Sequence, residues 1–168
     1  LDVFMLFDPA LPREELQEQG LGLAHRIAEE FGATWREKYA EHPYVNATIN
    51  SLDIDLVPCY AVSSATEIKS AVDRTPFHTR YILAHINDYA DDVLLVKQFA
   101  KAGGVYGSDH MTEGFSGYLC EILTIYYGGF HPLLRAAACW RAGEVIDIEE
   151  HGTKEFEDPL VVIDPVDP

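Results

Sequence analysis

The sequence has few cysteines, few basic residues and no long apolar run, and each shortage excludes a class of protein. The three cysteines are odd in number and lie far apart, which argues against a disulfide framework or a zinc site and predicts reduced thiols. No run approaches the ~20 apolar residues of a membrane-spanning helix. No charged-then-apolar leader opens the chain. We therefore expect a cytoplasmic protein with no membrane partner.

Basic residues number 12 against 28 acidic ones, so the net charge is −16. Because nucleic-acid affinity comes largely from phosphate neutralisation by Lys and Arg, an RNA-binding function requires a positive surface that this composition does not supply. An acidic surface also keeps proteins dispersed in a salty cytoplasm. Composition therefore does not decide whether the acidity excludes RNA binding or reflects adaptation to salt. The chain opens without Met and closes on an Asp-Pro-Val-Asp-Pro run, which predicts a fragment of a longer protein.

Apolar residues make up 48% of the chain, which predicts a folded protein. An apolar strand over residues 1–7 precedes a helix that starts at Pro12 and stops at Gly32. Strands follow over 34–40, 44–49 and 51–60, so we predict a mixed sheet with a helix packed on it.

The second part of the chain has helical patterns. Ser64 and Glu67 form a capping box that predicts a short helix through Val72. Thr75 followed by Pro predicts the N-cap of a helix towards residue 86. Three more helices open at residues 88, 116 and 132, and two late strands cover 144–148 and 160–163. The predicted fold class is α+β, with a first domain over 1–61 and a mainly helical second domain over 62–168.

Aspartates occur on two strands that are predicted to share one sheet. Asp2 lies on the first strand, and Asp53 and Asp55 lie on the last. Since Mg²⁺ prefers carboxylate and water oxygens, acids converging from neighbouring strands suit a divalent cation. The alternative is a half-exposed strand whose polar face happens to hold aspartates, because two aspartates in a DxD pattern are weak evidence.

Three segments of the second part could bind an anion. A helix start at Thr75 with His78 in its first turn offers free N–H groups, although an ordinary capped helix with a surface histidine has the same sequence. Lys97 lies on an apolar helix, where a snorkelling lysine is the usual interpretation. Tyr106 lies among glycines that permit close approach of a ligand, or simply form a helix end and a turn.

Seven stretches resemble, in order, those of the archaeal class I CCA-adding enzymes, which are tRNA nucleotidyltransferases of the DNA polymerase beta-like superfamily. The stretches are residues 1–7, 42–45, 55–60, 70–80, 104–107, 114–121 and 164–168. The resemblance implies that 1–61 is the remaining part of a nucleotidyltransferase palm and that 62–168 is a helical central domain. It makes Asp2 and Asp55 catalytic ligands of Mg²⁺, and leaves Asp53 outside the metal site. The residues that it implies for nucleotide binding are Thr75, His78, Lys97 and Tyr106.

The implied activity is template-independent addition of CMP, CMP and AMP to the 3′ end of tRNA, with CTP and ATP as substrates. A homodimer is possible for the complete protein. The family's Gly-Ser motif and first aspartate would precede Leu1, while its Arg-Asn pair and RNA-binding tail would follow Pro168. Two alternatives stay open: another terminal transferase, such as a poly(A) polymerase, and a non-catalytic remnant that binds nucleotide or RNA.

Overall fold

The computed structural model describes residues 1–40, 43–108, 111–152 and 156–167. The chain divides into two compact units, Leu1–Pro76 and Phe77–Pro168. The first unit combines a four-stranded sheet with a long helix, and the second contains helices followed by a two-stranded sheet, which confirms the predicted α+β fold class. The predicted domain boundary after residue 61 stays a prediction. None of the helices in the described ranges is both long enough and apolar enough to span a membrane.

The first unit contains the predicted mixed sheet. Its four strands lie in the order β1-β4-β3-β2, with β1 parallel to β4 and the other pairs antiparallel. The strands are β1 (Asp2–Phe7), β2 (Thr34–Tyr39), β3 (Pro43–Ile49) and β4 (Leu52–Tyr60). Helix α1 (Arg13–Glu30) connects β1 to β2 and packs on β3 and β4. Parallel pairing of β1 with β4 requires a crossover connection, which this helix begins.

Helix α1 forms where the sequence predicts it. Pro12 stands just before its first turn, and Gly32 follows its end in the left-handed region with φ 58°. Its buried face has helical spacing and consists of Leu16, Gly20, Ala24 and Ala28. A Cβ built on Gly20 would lie 2.4 Å from Cγ of Pro58 in β4, so the helix approaches the sheet at a distance that only glycine permits. The core beneath it contains Met5, Ala24, Val45 and Leu56.

The predicted helix from Ser64 through residue 72 is wrong. Two short 3₁₀ turns, Ala65–Glu67 and Ala71–Arg74, occupy this segment instead. The Glu67 carboxylate accepts a hydrogen bond from Ser63 Oγ at 2.7 Å, and residue 68 is extended. The carboxylate of Asp73 is fully buried and accepts three backbone N–H groups, those of Tyr60, Lys69 and Ser70, at 2.8–2.9 Å. These bonds attach the segment to the end of β4 and prevent a continuous helix.

The predicted N-cap at Thr75 is also wrong. Its backbone is right-handed helical, with φ −56° and ψ −40°, and its N–H donates to the carbonyl of Val72. Helix α2 (Thr75–His85) therefore follows the second 3₁₀ turn without a break. Because an N-cap residue has extended backbone, the helix start with free N–H groups that was expected at this position does not form.

The second unit agrees closely with prediction. It contains α3 (Ala90–Ala102), α4 (Gly117–Tyr127), α5 (Phe130–Ala137) and the parallel pair β5 (Glu144–Asp147) and β6 (Leu160–Ile163). Ser116 caps α4 as predicted, since its Oγ accepts the N–H of Leu119 at 3.1 Å. Helix α5 begins before the predicted start at residue 132, and Asp92 Oδ1 accepts the N–H of its first residue at 2.9 Å. The core contains Val96, Cys120, Leu123, Leu133 and Ile146.

Candidate active site

Asp2 and Asp55 lie side by side on the sheet. They are direct partners in the parallel pairing of β1 with β4. Asp55 is also the partner of Asn46 on β3, and Asn46 is the partner of Arg36 on β2. A single row therefore crosses all four strands, from Arg36 through Asn46 and Asp55 to Asp2. Since cross-strand partners project to the same face, the strand register brings the two predicted carboxylates together.

Asn46 connects this row, and sequence reasoning missed it. Its side-chain amide donates to Asp55 Oδ1 at 2.6 Å and to Asp53 Oδ1 at 2.8 Å. Its carbonyl oxygen accepts the Nε–H of Arg36 at 3.3 Å, which fixes the orientation of the amide. Asn46 alternates along β3 with the buried Val45 and Ala47, yet Asn46 itself is only 6% exposed. Its burial is compensated by these bonds, and its effect is to fix one oxygen of Asp55.

A cavity of about 190 Å³ opens beside the two carboxylates. Asp2, Asp55 and Thr75 all line it, together with Tyr44. Burial, followed by the negative charges of Asp55 and Asp2, raises the pKa of Tyr44 above its ordinary value. Asp53 is not among the described residues that line this cavity. Asp2, Asp55 and Thr75 therefore line one opening, although Thr75 is not the N-cap residue that was predicted.

In the second unit, Lys97 and Tyr106 meet at the first residue of α4. A Cβ built on Gly117 would lie 3.1 Å from Tyr106 Oη and 3.7 Å from Lys97 Nζ. Lys97 Nζ also bonds to Glu121 Oε1, one turn along α4, at 2.5 Å. Lys97 is thus paired with an acid rather than simply extending to solvent. The Nζ of Lys101 lies 4.9 Å from the centre of the Tyr106 ring, which adds a second cation beside this tyrosine.

His78 lies against the residue next to Gly117. Its ring stacks on Tyr118 with a centroid separation of 3.7 Å and an interplanar angle of 8°. Its Nε2 bonds to Asp164 Oδ2 at 2.7 Å. The first turn of α4 therefore gathers all three predicted nucleotide-binding residues of this unit. Glu121, Tyr118 and Asp164 lie within stretches that resemble the family, but no local pattern indicates that they contact Lys97 and His78.

Known proteins match this chain both within its second unit and over its whole length. Residues 91–168 match the family described as "tRNA nucleotidyltransferase, second domain". The whole chain is similar to curated CCA-adding enzymes: 66% identical to that of Methanoregula boonei, 50% to that of Methanosarcina barkeri and 52% to that of Haloarcula marismortui.

Each alignment covers all of this chain but only 35–37% of the relative. The chain thus spans little more than a third of the length of the relatives that it matches. The predicted resemblance to archaeal CCA-adding enzymes is confirmed along the whole chain.

Proposed function

We propose that the protein containing this chain adds CMP, CMP and AMP to the 3′ end of tRNA without a nucleic-acid template, using CTP and ATP. The observation that carries the proposal is the register that places Asp2 beside Asp55 at a cavity also lined by Thr75. It is supported by relatives, named as CCA-adding enzymes, that are 48–66% identical over the chain. Three free thiols fit a reducing cytoplasm. A homodimer remains a prediction for the complete protein.

The carboxylate pair fits a divalent metal, and we propose Mg²⁺. The side chains offered are oxygen donors, which Mg²⁺ prefers. The described residues contain no cluster of three or more metal-binding His, Cys, Asp or Glu side chains. Two carboxylates completed by water and substrate phosphates are the usual protein contribution to a magnesium site. When bound, the metal would supply Lewis-acid stabilisation of the transferring phosphoryl group.

The residues of this chain would hold the reacting groups in place. Asp55, with Oδ1 fixed by the Asn46 amide, would orient the tRNA 3′ hydroxyl and accept its proton. Lys97 would offset triphosphate charge. Because its Nζ is already paired with Glu121 at 2.5 Å, a phosphate oxygen must share or replace that partner. Tyr106, half-buried beside it, would position the nucleotide.

The experiment compares two neighbouring aspartates in the complete protein. Asp55→Asn should lower incorporation of labelled CMP and AMP into tRNA lacking its terminal CCA by roughly 10²–10⁴-fold, the range for loss of general base catalysis. Asp53→Asn is the matched control, since Asp53 also accepts the Asn46 amide but does not line the cavity. Its activity should stay within a few-fold of wild type. Full activity of the Asp55→Asn protein would overturn the assignment.

A further inference from the structure

His78 is held on two sides by residues that have no role in the function proposed above. Tyr118 covers one face of the ring, at a centroid distance of 3.7 Å. The Nε2 atom of His78 is hydrogen-bonded to Oδ2 of Asp164 at 2.7 Å. The other carboxylate oxygen, Oδ1, accepts the O–H of Tyr118 at 3.2 Å. The three side chains therefore form a closed triangle of one stack and two hydrogen bonds.

The protonation states in this triangle follow from its chemistry. Burial raises the pKa of the Asp164 carboxyl, but hydrogen bonds from His78 and from the N–H of Val166 outweigh burial and hold it below its ordinary value. Burial and then the Asp164 charge raise the pKa of Tyr118, which stays a phenol and a donor. Because an ionised carboxylate only accepts hydrogen bonds, the Nε2 of His78 must carry a proton and donate it.

This arrangement leaves Nδ1 as the ring nitrogen that can contact a ligand. The hydrogen bond fixes rotation about the side-chain axis, and the stack on Tyr118 fixes the ring plane. His78 and Asp164 are 86 residues apart in sequence. Asp164 directly follows Ile163, the buried last residue of β6, so a packed strand end sets its position. Tyr118 lies in the first turn of α4, next to the glycine where Lys97 and Tyr106 meet.

We propose that Asp164 and Tyr118 are positioning residues, which orient His78 so that its Nδ1 contacts the incoming nucleotide. This inference rests on the proposed function, because it takes His78 as a nucleotide contact. The two residues act through His78 and do not touch the nucleotide. Their removal should therefore weaken nucleotide binding and leave the chemical step largely unchanged.

A double-mutant cycle in the complete protein tests this. The KM for CTP and kcat are measured for wild type, His78→Ala, Asp164→Asn and the double variant. Asp164→Asn should raise KM roughly tenfold, within the range for residues in direct contact, with kcat changed less than threefold. In the His78→Ala background the same substitution should change KM less than twofold, since the residue through which it acts is gone.

Tyr118→Phe is a second variant that keeps the ring stack and removes only the O–H bond to Asp164. It should raise KM by a smaller factor than Asp164→Asn, again only when His78 is present. The matched control is Tyr81→Phe, because the hydroxyl of Tyr81, also in α2, donates to a different carboxylate, Glu149, at 2.6 Å. Its KM should equal that of wild type.

The outcomes separate the two proposals. If His78→Ala raises KM but Asp164→Asn acts equally with and without His78, the positioning role is wrong while the nucleotide contact stands. An unchanged KM in Asp164→Asn and Tyr118→Phe also overturns the positioning role. If His78→Ala itself leaves KM unchanged, the nucleotide-binding assignment of His78 fails, and the positioning role fails with it.

Discussion

Two glycines of α1, two residues apart, should respond in opposite directions to the same substitution. Gly20 faces the sheet, and a Cβ there would lie 2.4 and 2.5 Å from two carbons of Pro58. Gly22 has nothing within 4 Å of its built Cβ. We predict that Gly20→Ala destabilises the first unit and that Gly22→Ala stabilises it.

The magnitudes follow from helix propensity and from steric overlap. Replacing a helical glycine by alanine is favourable by about 0.5–1 kcal/mol, and Gly22→Ala should show this full gain. At Gly20 the same gain is opposed by the overlap. Carbon atoms are optimally ~3.5–4.0 Å apart, so the helix must move away from Pro58 by more than 1 Å. Overpacking of this kind costs typically ~1–3 kcal/mol. The net loss is therefore roughly 1–2 kcal/mol, and the two variants should differ by about 2 kcal/mol.

Hydrogen exchange of α1 peptides, followed by mass spectrometry, measures this difference within the complete protein. Exchange reports the free energy of opening of the segment itself, so the rest of the protein does not mask it. About 2 kcal/mol corresponds to a roughly 30-fold difference in exchange rate between the two variants. Equal or slower exchange in Gly20→Ala than in wild type would refute the close approach of α1 to β4.

Three further predictions concern the first unit and the thiols. Asn46→Ala should lower CMP incorporation, because Asp55 loses the amide that fixes its Oδ1. The expected loss is roughly 10–100-fold, the usual effect of removing a hydrogen-bond partner of a metal ligand. Wild-type activity would refute this. Asp73→Ala should destabilise the unit by about 3–5 kcal/mol in hydrogen exchange, since it leaves the N–H groups of Tyr60, Lys69 and Ser70 unpaired, two of them buried; a loss below about 1 kcal/mol would contradict the network around Asp73. Cys139 is exposed, whereas burial raises the pKa of Cys59 to about 12, so iodoacetamide should label Cys139 far faster in the native protein. Comparable labelling of Cys59 in peptide maps would show that its site is open.

Regular elements were predictable where local pattern and packing agree. The apolar run of β1, the helical spacing of α1 and the serine cap of α4 each specify their element through neighbouring residues. The adjacency of Asp2 and Asp55 was also expected, because their strands were predicted to share one sheet and the resemblance makes both residues ligands of the metal. The register that makes them direct partners was not, since it depends on pairing between distant segments.

Two of the three failures lie where a distant partner overrides a local signal. The capping box at Ser64 is a valid local pattern, but the buried Asp73 carboxylate fixes its segment to the end of β4. Thr75-Pro76 has the sequence of a helix start, yet a preceding turn supplies the partner of the Thr75 N–H. Asn46 alternates with the apolar Val45 and Ala47, a pattern typical of a solvent-facing residue. Nothing in β3 indicates the aspartates on β4 that it contacts. The cases of Asp73 and Asn46 involve hydrogen bonds that only tertiary structure creates, whereas the Thr75 N–H pairs with the nearby carbonyl of Val72.

Sequencing the products formed by the complete protein tests the central claim most directly. The protein is incubated with Mg²⁺ and a tRNA lacking its terminal CCA, first with CTP alone and then with CTP and ATP. We predict addition of two cytidines with CTP alone, and of C, C and A with both nucleotides. A run of adenosines would identify a poly(A)-type terminal transferase instead. No addition by a folded protein would show that the chain belongs to a non-catalytic relative.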